Sequence, residues 1–366
     1  MSYSTRQIYI KNLAVGGNAP VSVQSMCNTP TSDVEQTLQQ IQRLAAAGCE
    51  IIRLAVPDMA AAEAFKPITK ASPIPVIADI HFDHRLAVAA IANGAAAVRV
   101  NPGNLGGDDA VKAVAEALLQ YNVPVRVGAN SGSLPKEFIH HLNAANAAEH
   151  DELLSEALVQ SVLQQAAAFE HYGVRNIKVS LKASSVPATV KAYRKFAARA
   201  DYPLHVGVTE AGTPARGIVK SAAGIGALLL DNIGNTIRVS LTADPEQEVI
   251  AALRILESVG LRSAAPDLVA CPTCGRTRIN LVELAEKVEA LINRIKAEKG
   301  RIQLKKIAVM GCVVNGPGEA KDADLGIAGG DGKVVLFRKG QIEATLSESA
   351  GFAALEKLIR ENTVWE

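Results

Sequence analysis

Three cysteines and one glutamate near the C-terminus carry the clearest chemical signal in this chain. Cys271 and Cys274 lie in CPTCGRTR, Cys312 lies in MGCVVNGPGE, and Glu319 follows seven residues later. A C-x-x-C pair puts two thiolates on one tight turn, close enough to share a metal centre. Three thiolates are one short of the set that closes a tetrahedral zinc site or a four-iron cluster. The remaining position then belongs to a weaker group, a water or a substrate, and a site left open in that way is a place for chemistry. A structural zinc knuckle would want a fourth soft ligand, but no histidine and no further cysteine follows residue 263. Zinc could take Glu319, although carboxylates are uncommon in structural zinc sites. The C-x-x-x-C-x-x-C spacing of radical-SAM clusters is absent. An iron–sulfur cluster with three cysteines and one exchangeable ligand is the favoured reading, with zinc the alternative.

The rest of the chain must position this centre and its substrate. Short apolar runs alternate with Ala/Leu-rich helical patterns up to about residue 265. The expected strands are 21–25, 51–55, 75–80, 97–100, 124–127, 176–180, 204–208 and 236–241. Helical patterns such as VEQTLQQIQRLAAAG and HRLAVAAIANG lie between them, and Gly48, Gly94 and Gly173 fall where a helix should stop. Eight βα units in sequence are the signature of an α/β protein of the TIM-type (β/α)₈ barrel class. A doubly wound open sheet would usually show a glycine-rich phosphate turn after its first strand, and MCNTPTSD is not one.

Polar groups mark the C-terminal ends of these strands. In order they are Gln24, Arg53, Asp79 with His81, Arg99 with Asn101, and Arg126 with Asn130. Lys178, Ser180 and Lys182 follow, then Thr209 with Glu210, then Arg238 with Ser240. In a barrel these positions converge on one mouth, where active sites sit. Polar loop borders explain one or two of them, but poorly explain a basic group at six of eight ends. Arginine is costly to bury unpaired, so the mouth reads as a site for a polyanion such as a phosphate or diphosphate.

Within that mouth the single residues stay ambiguous. Glu210 is either a general acid/base or a partner for a neighbouring arginine. His81 could bind metal, move protons or bond Asp79. Lys178 and Lys182 could be Schiff-base nucleophiles, but the surrounding arginines favour phosphate clamps. Cys49, at a helix end among apolar residues, reads as core. Cys27 lies near the mouth and takes no role.

The remaining composition excludes more than it reveals. The 366 residues carry 38 Lys+Arg against 37 Asp+Glu, and aromatics make up only 4%. That balance suggests neither a basic nucleic-acid surface nor an acidic tail, and it offers few bases a stacking partner. Five cysteines are too few for a disulfide framework. No apolar run reaches the ~20 residues needed to cross a bilayer, and the start MSYSTRQIYIKN is no signal peptide. The expectation is a soluble protein of the reducing cytoplasm. Composition shifts after Ser263, where AAPDLVACPTCGRTR opens a second unit. The expected division is a barrel over 1–264 and a small α+β iron–sulfur domain over 265–366. In the latter a helix, NLVELAEKVEALINRIKAEKG, is followed by a strand into the Cys312 turn, two β-like runs (DLGIAGG and KVVLFRKGQIEATL) and a last helix, GFAALEKLIREN.

Taken together, CPTCGRT, MGCVVNGPGEAKDADLGIAGG, ADIHFD, VRVNPGN, VRVGANSGSL and HVGVTEAG resemble the 4-hydroxy-3-methylbut-2-enyl diphosphate synthases. These are the bacterial iron–sulfur enzymes of the non-mevalonate isoprenoid pathway, and the resemblance runs over essentially the whole chain. It implies a [4Fe-4S] cluster held by Cys271, Cys274, Cys312 and Glu319. It implies reductive ring opening and dehydroxylation of 2-C-methyl-D-erythritol 2,4-cyclodiphosphate, with flavodoxin or ferredoxin as electron donor. Arg53, Arg99, Arg126, Lys182, Arg238 and Ser240, helped by Asn130, would hold the diphosphate. Asp79, His81, Asn101 and Thr209 would line the mouth, and Glu210 would act near the reacting carbons. A head-to-tail homodimer, each cluster domain capping its partner's barrel, is also implied. A barrel enzyme of pterin-synthase or aldolase type, with the cysteines as a structural zinc lobe, is the alternative.

Overall fold

A computed structural model describes residues 4–130, 134, 142, 146–263, 266–312, 314, 316, 318, 320–330 and 332–365. The chain divides into two compact units, Met1–Arg262 and Ser263–Glu366. No helix of the described residues is long and apolar enough to cross a membrane.

The first unit opens with a hairpin of β1 (Ile8–Ile10) and β2 (Leu13–Val15). Eight strands follow: β3 (Ser22–Met26), β4 (Ile51–Ala55), β5 (Val76–Asp79), β6 (Ala97–Val100), β7 (Val125–Asn130), β8 (Ile177–Lys182), β9 (His205–Val206) and β10 (Thr236–Ile237). All their pairings are parallel, in the order β8-β7-β6-β5-β4-β3-β10-β9, and a bridge from Val179 to Leu204 closes the ring. A helix follows every strand: α1 (Val34–Ala46), α2 (Met59–Ala71), α3 (His84–Ala92), α4 (Asp108–Tyr121), α5 (Ala147–His171), α6 (Val186–Ala197), α7 (Pro214–Leu230) and α8 (Pro245–Ser258). This is the (β/α)₈ barrel that the alternation of patterns implies.

The local reasons are those of a parallel sheet covered on its outer face. In α1, Thr37, Gln40, Ile41 and Leu44 recur at helical spacing and are the buried face. The Asp33 carboxylate caps that helix by accepting from the Gln36 amide at 3.0 Å. Gly48 ends the helical segment at φ +103°, a conformation that a side chain would strain. Strands β9 and β10 are shorter than expected. At Gly207 a Cβ would stand 2.5 Å from the Arg238 carbonyl oxygen and 2.8 Å from Lys182 Nζ. The backbone there gives up ladder pairing to let those groups approach.

The β1–β2 hairpin plugs the N-terminal end of the barrel. Ile8, Ile10 and Val15 pack with Ile51, Ile77 and Ala97 at the beginnings of β4, β5 and β6. Each buried aliphatic chain there contributes about 1.5–3 kcal/mol. With that end filled by apolar side chains, only the opposite end is left for polar groups.

The second unit has a five-stranded mixed sheet of β11 (Asp267–Ala270), β13 (Lys306–Met310), β14 (Leu325–Gly329), β15 (Val334–Arg338) and β16 (Gln341–Leu346), in that spatial order. Strands β12 (Gly300–Ile302) and β17 (Thr363–Trp365) form a separate antiparallel pair. Helices α9 (Leu281–Ala297) and α10 (Glu348–Glu361) supply Leu284, Val288, Leu291, Leu355 and Ile359 to a core against Ile307, Val309, Leu325 and Ile327. The run KVVLFRKGQIEATL is two strands rather than one, because Lys339 and Gly340 both take positive φ, +48° and +77°, and reverse the chain.

Candidate active site and candidate metal centre

The barrel mouth is built around Asp79, at the end of β5 and 3% exposed. Its Oδ1 accepts from Arg99 Nη1 at 3.2 Å, and its Oδ2 lies 3.5 Å from Arg53 Nε. His81 Nε2 stands 3.7 Å from the same Oδ2, and His81 Nδ1 stands 3.5 Å from Arg99 Nη1. The register explains the grouping: Asp79 pairs with Arg99 across β5 and β6, and Arg99 with Arg126 across β6 and β7. Burial alone would raise the Asp79 carboxyl, but Arg53, His81, Arg99 and Arg126 together hold it well below the usual carboxylate range.

One carboxylate does not satisfy this many cations. Arg126 is 4% exposed, and its Nε and Nη1 have no hydrogen-bond partner among the described residues. Burial first, then Arg53 and Arg99, push its guanidinium well below the ordinary arginine range. Arg53 is lowered to about 10, by burial against the pull of Asp79. It also donates to the Met26 thioether at 3.0 and 3.3 Å, a weak acceptor for a strong donor. Lys182 is buried, and burial followed by Arg126 and Arg53 depresses its amine well below the lysine range.

A second carboxylate serves the other side. Glu248, from α8, accepts from Arg238 Nε at 3.2 Å and Nη2 at 3.3 Å. It also accepts from Ser25 Oγ at 3.1 Å and the Leu241 amide at 3.0 Å. Neither Met26 nor Glu248 stands out in the sequence. Glu248 lies within a helical run rather than at a strand end, and its burial among apolar helix residues is its only signal.

The other expected residues lie around this cluster. Asn130 ends β7 opposite Lys182 of β8. Asn101 is buried, and its Oδ1 accepts from the Gly103 amide at 3.1 Å, capping a turn. Thr209 and Ser240 are half-buried past the ends of β9 and β10. Glu210 is exposed and adopts φ +52°, a left-handed conformation unfavourable for a side chain. Cys27 and Cys49 are buried, and burial pushes both thiols up to about 12.

In the second unit, Cys271 and Cys312 follow the neighbouring parallel strands β11 and β13. The Gly311 amide donates to Cys271 Sγ at 3.1 Å, and the Arg278 amide donates to the Gly311 carbonyl at 3.1 Å. Cys274 is exposed on a turn in which its amide donates to Thr277 Oγ1 at 3.1 Å and the Thr277 amide donates to its carbonyl at 3.0 Å. The backbone N–H of Arg276 is the main influence lowering the Cys274 thiol. Among the described residues, no group of three or more His, Cys, Asp or Glu is gathered closely enough to hold a metal ion. Glu319 lies outside the described residues.

Comparison with known proteins decides the family. The GcpE TIM-barrel domain matches residues 5–253, and the GcpE protein C-terminal domain matches residues 267–361. The chain belongs to the GcpE family. A GcpE-family relative from Geobacter sulfurreducens, a 4-hydroxy-3-methylbut-2-en-1-yl diphosphate synthase (flavodoxin), is 52% identical over 365 residues, 99% of each chain. Relatives of the same name from Fusobacterium nucleatum and Lawsonia intracellularis are 47% and 51% identical, covering 99% and 92% of this chain and 98% and 90% of theirs. Among solved structures, a 3-dehydroquinate dehydratase from Geobacillus kaustophilus aligns with 71% of this GcpE chain and 100% of its own at a TM-score of 0.48 and 18% identity.

Proposed function

We propose that this GcpE-family chain catalyses the reductive ring opening and dehydroxylation of 2-C-methyl-D-erythritol 2,4-cyclodiphosphate to 4-hydroxy-3-methylbut-2-enyl diphosphate. Family membership supports this activity over the pterin-synthase or aldolase alternative. The observation that carries the substrate class is the excess of buried donors at the barrel mouth. Arg99 Nε and Arg126 Nε and Nη1 are buried without a partner among the described residues. A buried guanidinium left unpaired is costly, and a diphosphate supplies the missing acceptors.

Arg53, Arg99, Arg126, Lys182 and Arg238, with Ser240 and Asn130, grip the diphosphate. Asp79 holds Arg53 and Arg99 in place while His81, Asn101 and Thr209 line the approach. Glu210, fixed in a strained turn at the rim, stands near the reacting carbons as proton donor or orienting group. Anchoring the diphosphate by several cations bears the ordering cost before chemistry starts.

Cys271, Cys274, Cys312 and Glu319 would hold a [4Fe-4S] cluster. The donor set fits: soft thiols, no histidine, an amide already donating to Cys271 Sγ, and a Cys274 thiol biased toward thiolate. When bound, such a cluster supplies single electrons and a Lewis-acidic iron for expulsion of a hydroxyl. The relatives' name supports flavodoxin as donor. A head-to-tail homodimer, with each cluster domain capping the partner's barrel, and a cytoplasmic setting complete the reading. Mixing Glu319→Ala with Glu210→Ala subunits tests the sharing, since a dimer that recovers no activity rules it out.

The deciding experiment is anaerobic purification with iron, sulfide and zinc analysis, followed by turnover of the cyclodiphosphate with reduced flavodoxin. About four irons and four sulfides per chain and formation of the diphosphate product are expected. Stoichiometric zinc without sulfide after anaerobic reconstitution, or no turnover by a fully loaded protein, refutes the proposal.

A further inference from the structure

Beneath the residues that grip the phosphates lies a polar layer that the proposed chemistry does not use. Lys178, on β8, pairs in register with Arg126 of β7 and is 1% exposed. Its Nζ has no hydrogen-bond partner among the described residues. His205, on β9, is fully buried; its Nδ1 shares a hydrogen bond with Thr236 Oγ1 at 2.9 Å, and its Nε2 has no partner among the described residues. Gln24, on β3, is 1% exposed, with neither amide atom bonded to any of the described residues.

Every charged group felt by Lys178 is basic. Arg126 of β7 and Arg53 of β4 act on it directly. Lys178 in turn acts on His205 of β9, which also feels Lys182, two turns of the pleat along β8. The Tyr193 hydroxyl of α6 is occupied, donating to the His205 carbonyl and accepting from the Leu181 amide. The two buried acids of the mouth are engaged elsewhere, Asp79 with Arg53 and Arg99 and Glu248 with Arg238. Among the described residues an ammonium in this position has no counter-ion, and burial, then Arg126 and Arg53, hold the Lys178 amine well below the lysine range.

An anion arriving at Arg126 and Arg53 removes the two repulsions that oppose a proton on Lys178. We infer that Lys178 takes up a proton from solvent when the cyclodiphosphate binds, and so acts as a charge-compensating positioning residue for the ring-opened diphosphate. This rests on the reading of the mouth as the diphosphate site. Cleavage of the ring C–O bond leaves its electron pair on a phosphate oxygen, turning a dianion into a trianion. Two electrons come from the reductant, and the one proton consumed overall leaves with the hydroxyl as water. The proton on Lys178 is additional; it enters with substrate, faces the new phosphate charge, and returns to solvent when product leaves.

The test is calorimetric titration of the full-length protein with the cyclodiphosphate in the absence of reductant, in buffers of different ionisation enthalpy near pH 7.5. The cyclic diphosphate has no titration near neutrality, so any proton taken up belongs to the protein. Wild type is expected to take up protons on binding, and Lys178→Met about one fewer per site. Lys178→Gln, which keeps a polar tip, serves as a second variant in case the methionine form does not fold. Binding without proton uptake in wild type, or equal uptake in wild type and variant, overturns the inference while leaving the mouth reading intact. No binding by wild type overturns the mouth reading and the inference with it.

Discussion

Replacing Asp79 with asparagine probes the charge balance of the barrel mouth, because the side chain keeps its size, loses its charge and exchanges one acceptor oxygen for an NH2 donor. In the native protein the carboxylate stands 3.2 Å from Arg99 and 3.5 Å from Arg53, with its side chain 4% exposed. Removing one partner of a buried pair costs about 3–5 kcal/mol, because the remaining charges stay buried and unpaired. Asp79→Asn is therefore expected to lose about 3 kcal/mol or more in urea unfolding of the barrel unit. The same change makes the mouth more positive by one charge within a few ångströms of the proposed anion. At an effective dielectric near 20 a unit charge about 4 Å away is worth up to ~4 kcal/mol, so a gain of at least about tenfold in pyrophosphate affinity is expected. Pyrophosphate should thus rescue the variant by more than it stabilises wild type. The pH dependence has a fixed sign. The folded carboxyl lies below its unfolded value of ~3.9, so its contribution is complete above that value and is lost as pH falls through the folded one. The gap between wild type and variant should stay constant from pH 8 to 5 and narrow only in stronger acid. A variant as stable as wild type, or one that binds pyrophosphate more weakly, would refute the charge-balance argument.

Three further outcomes follow from the geometry. Lys178→Met should be more stable than wild type at pH 7, and the difference should shrink by up to ~1.4 kcal/mol per pH unit toward pH 10, because the unfolded state binds a proton that the buried amine does not; chemical denaturation at a series of pH values measures it. In cluster-free protein at pH 8, iodoacetamide should label Cys274 first and leave Cys27 and Cys49 intact, since thiols raised to about 12 hold only ~10⁻⁴ of their population as thiolate; peptide mass mapping reads the order. Glu210→Gly should relieve the left-handed backbone at φ +52° and change stability by no more than about 1 kcal/mol in the favourable direction, while turnover falls by ~10² or more; an active Glu210→Gly enzyme would remove Glu210 from the chemistry.

Much of the barrel was legible because parallel strands buried on both faces read as short apolar runs, and all eight lie where those runs lie. The β1–β2 hairpin escaped notice because its strands are three residues each, too short for any period to show. Strands β15 and β16 were read as one run because the reversal rests on only two positive-φ residues, Lys339 and Gly340, although the polar stretch 338–341 around them is a turn signal that could have split it. The cations of the mouth were readable because strand ends converge in a barrel. Their anionic partner Glu248 was not, since a helix residue reaches the mouth only through tertiary packing that no local pattern encodes.

The inner surface of the barrel breaks the rule that buried polar groups find partners, and the pattern of the breakage is informative. Among the described residues the unpaired buried side-chain atoms are Gln24 Nε2 and Oε1, Arg99 Nε, Arg126 Nε and Nη1, Lys178 Nζ, His205 Nε2 and Ser221 Oγ, the last on α7. Apart from the single Gln24 oxygen, the His205 nitrogen and the Ser221 hydroxyl, these are donors. A deficit weighted toward donors supports the proposed reading of the mouth as a site for an acceptor-rich ligand. Arg53 fits the same reading, because beside its 3.5 Å ion pair with Asp79 its Nη2 donates to a thioether at 3.0 Å, a poor acceptor for a guanidinium. The apolar plug at the N-terminal end and the ring of packed helices carry the stability of the barrel, which leaves the mouth free to keep the donors that the proposed anion would use.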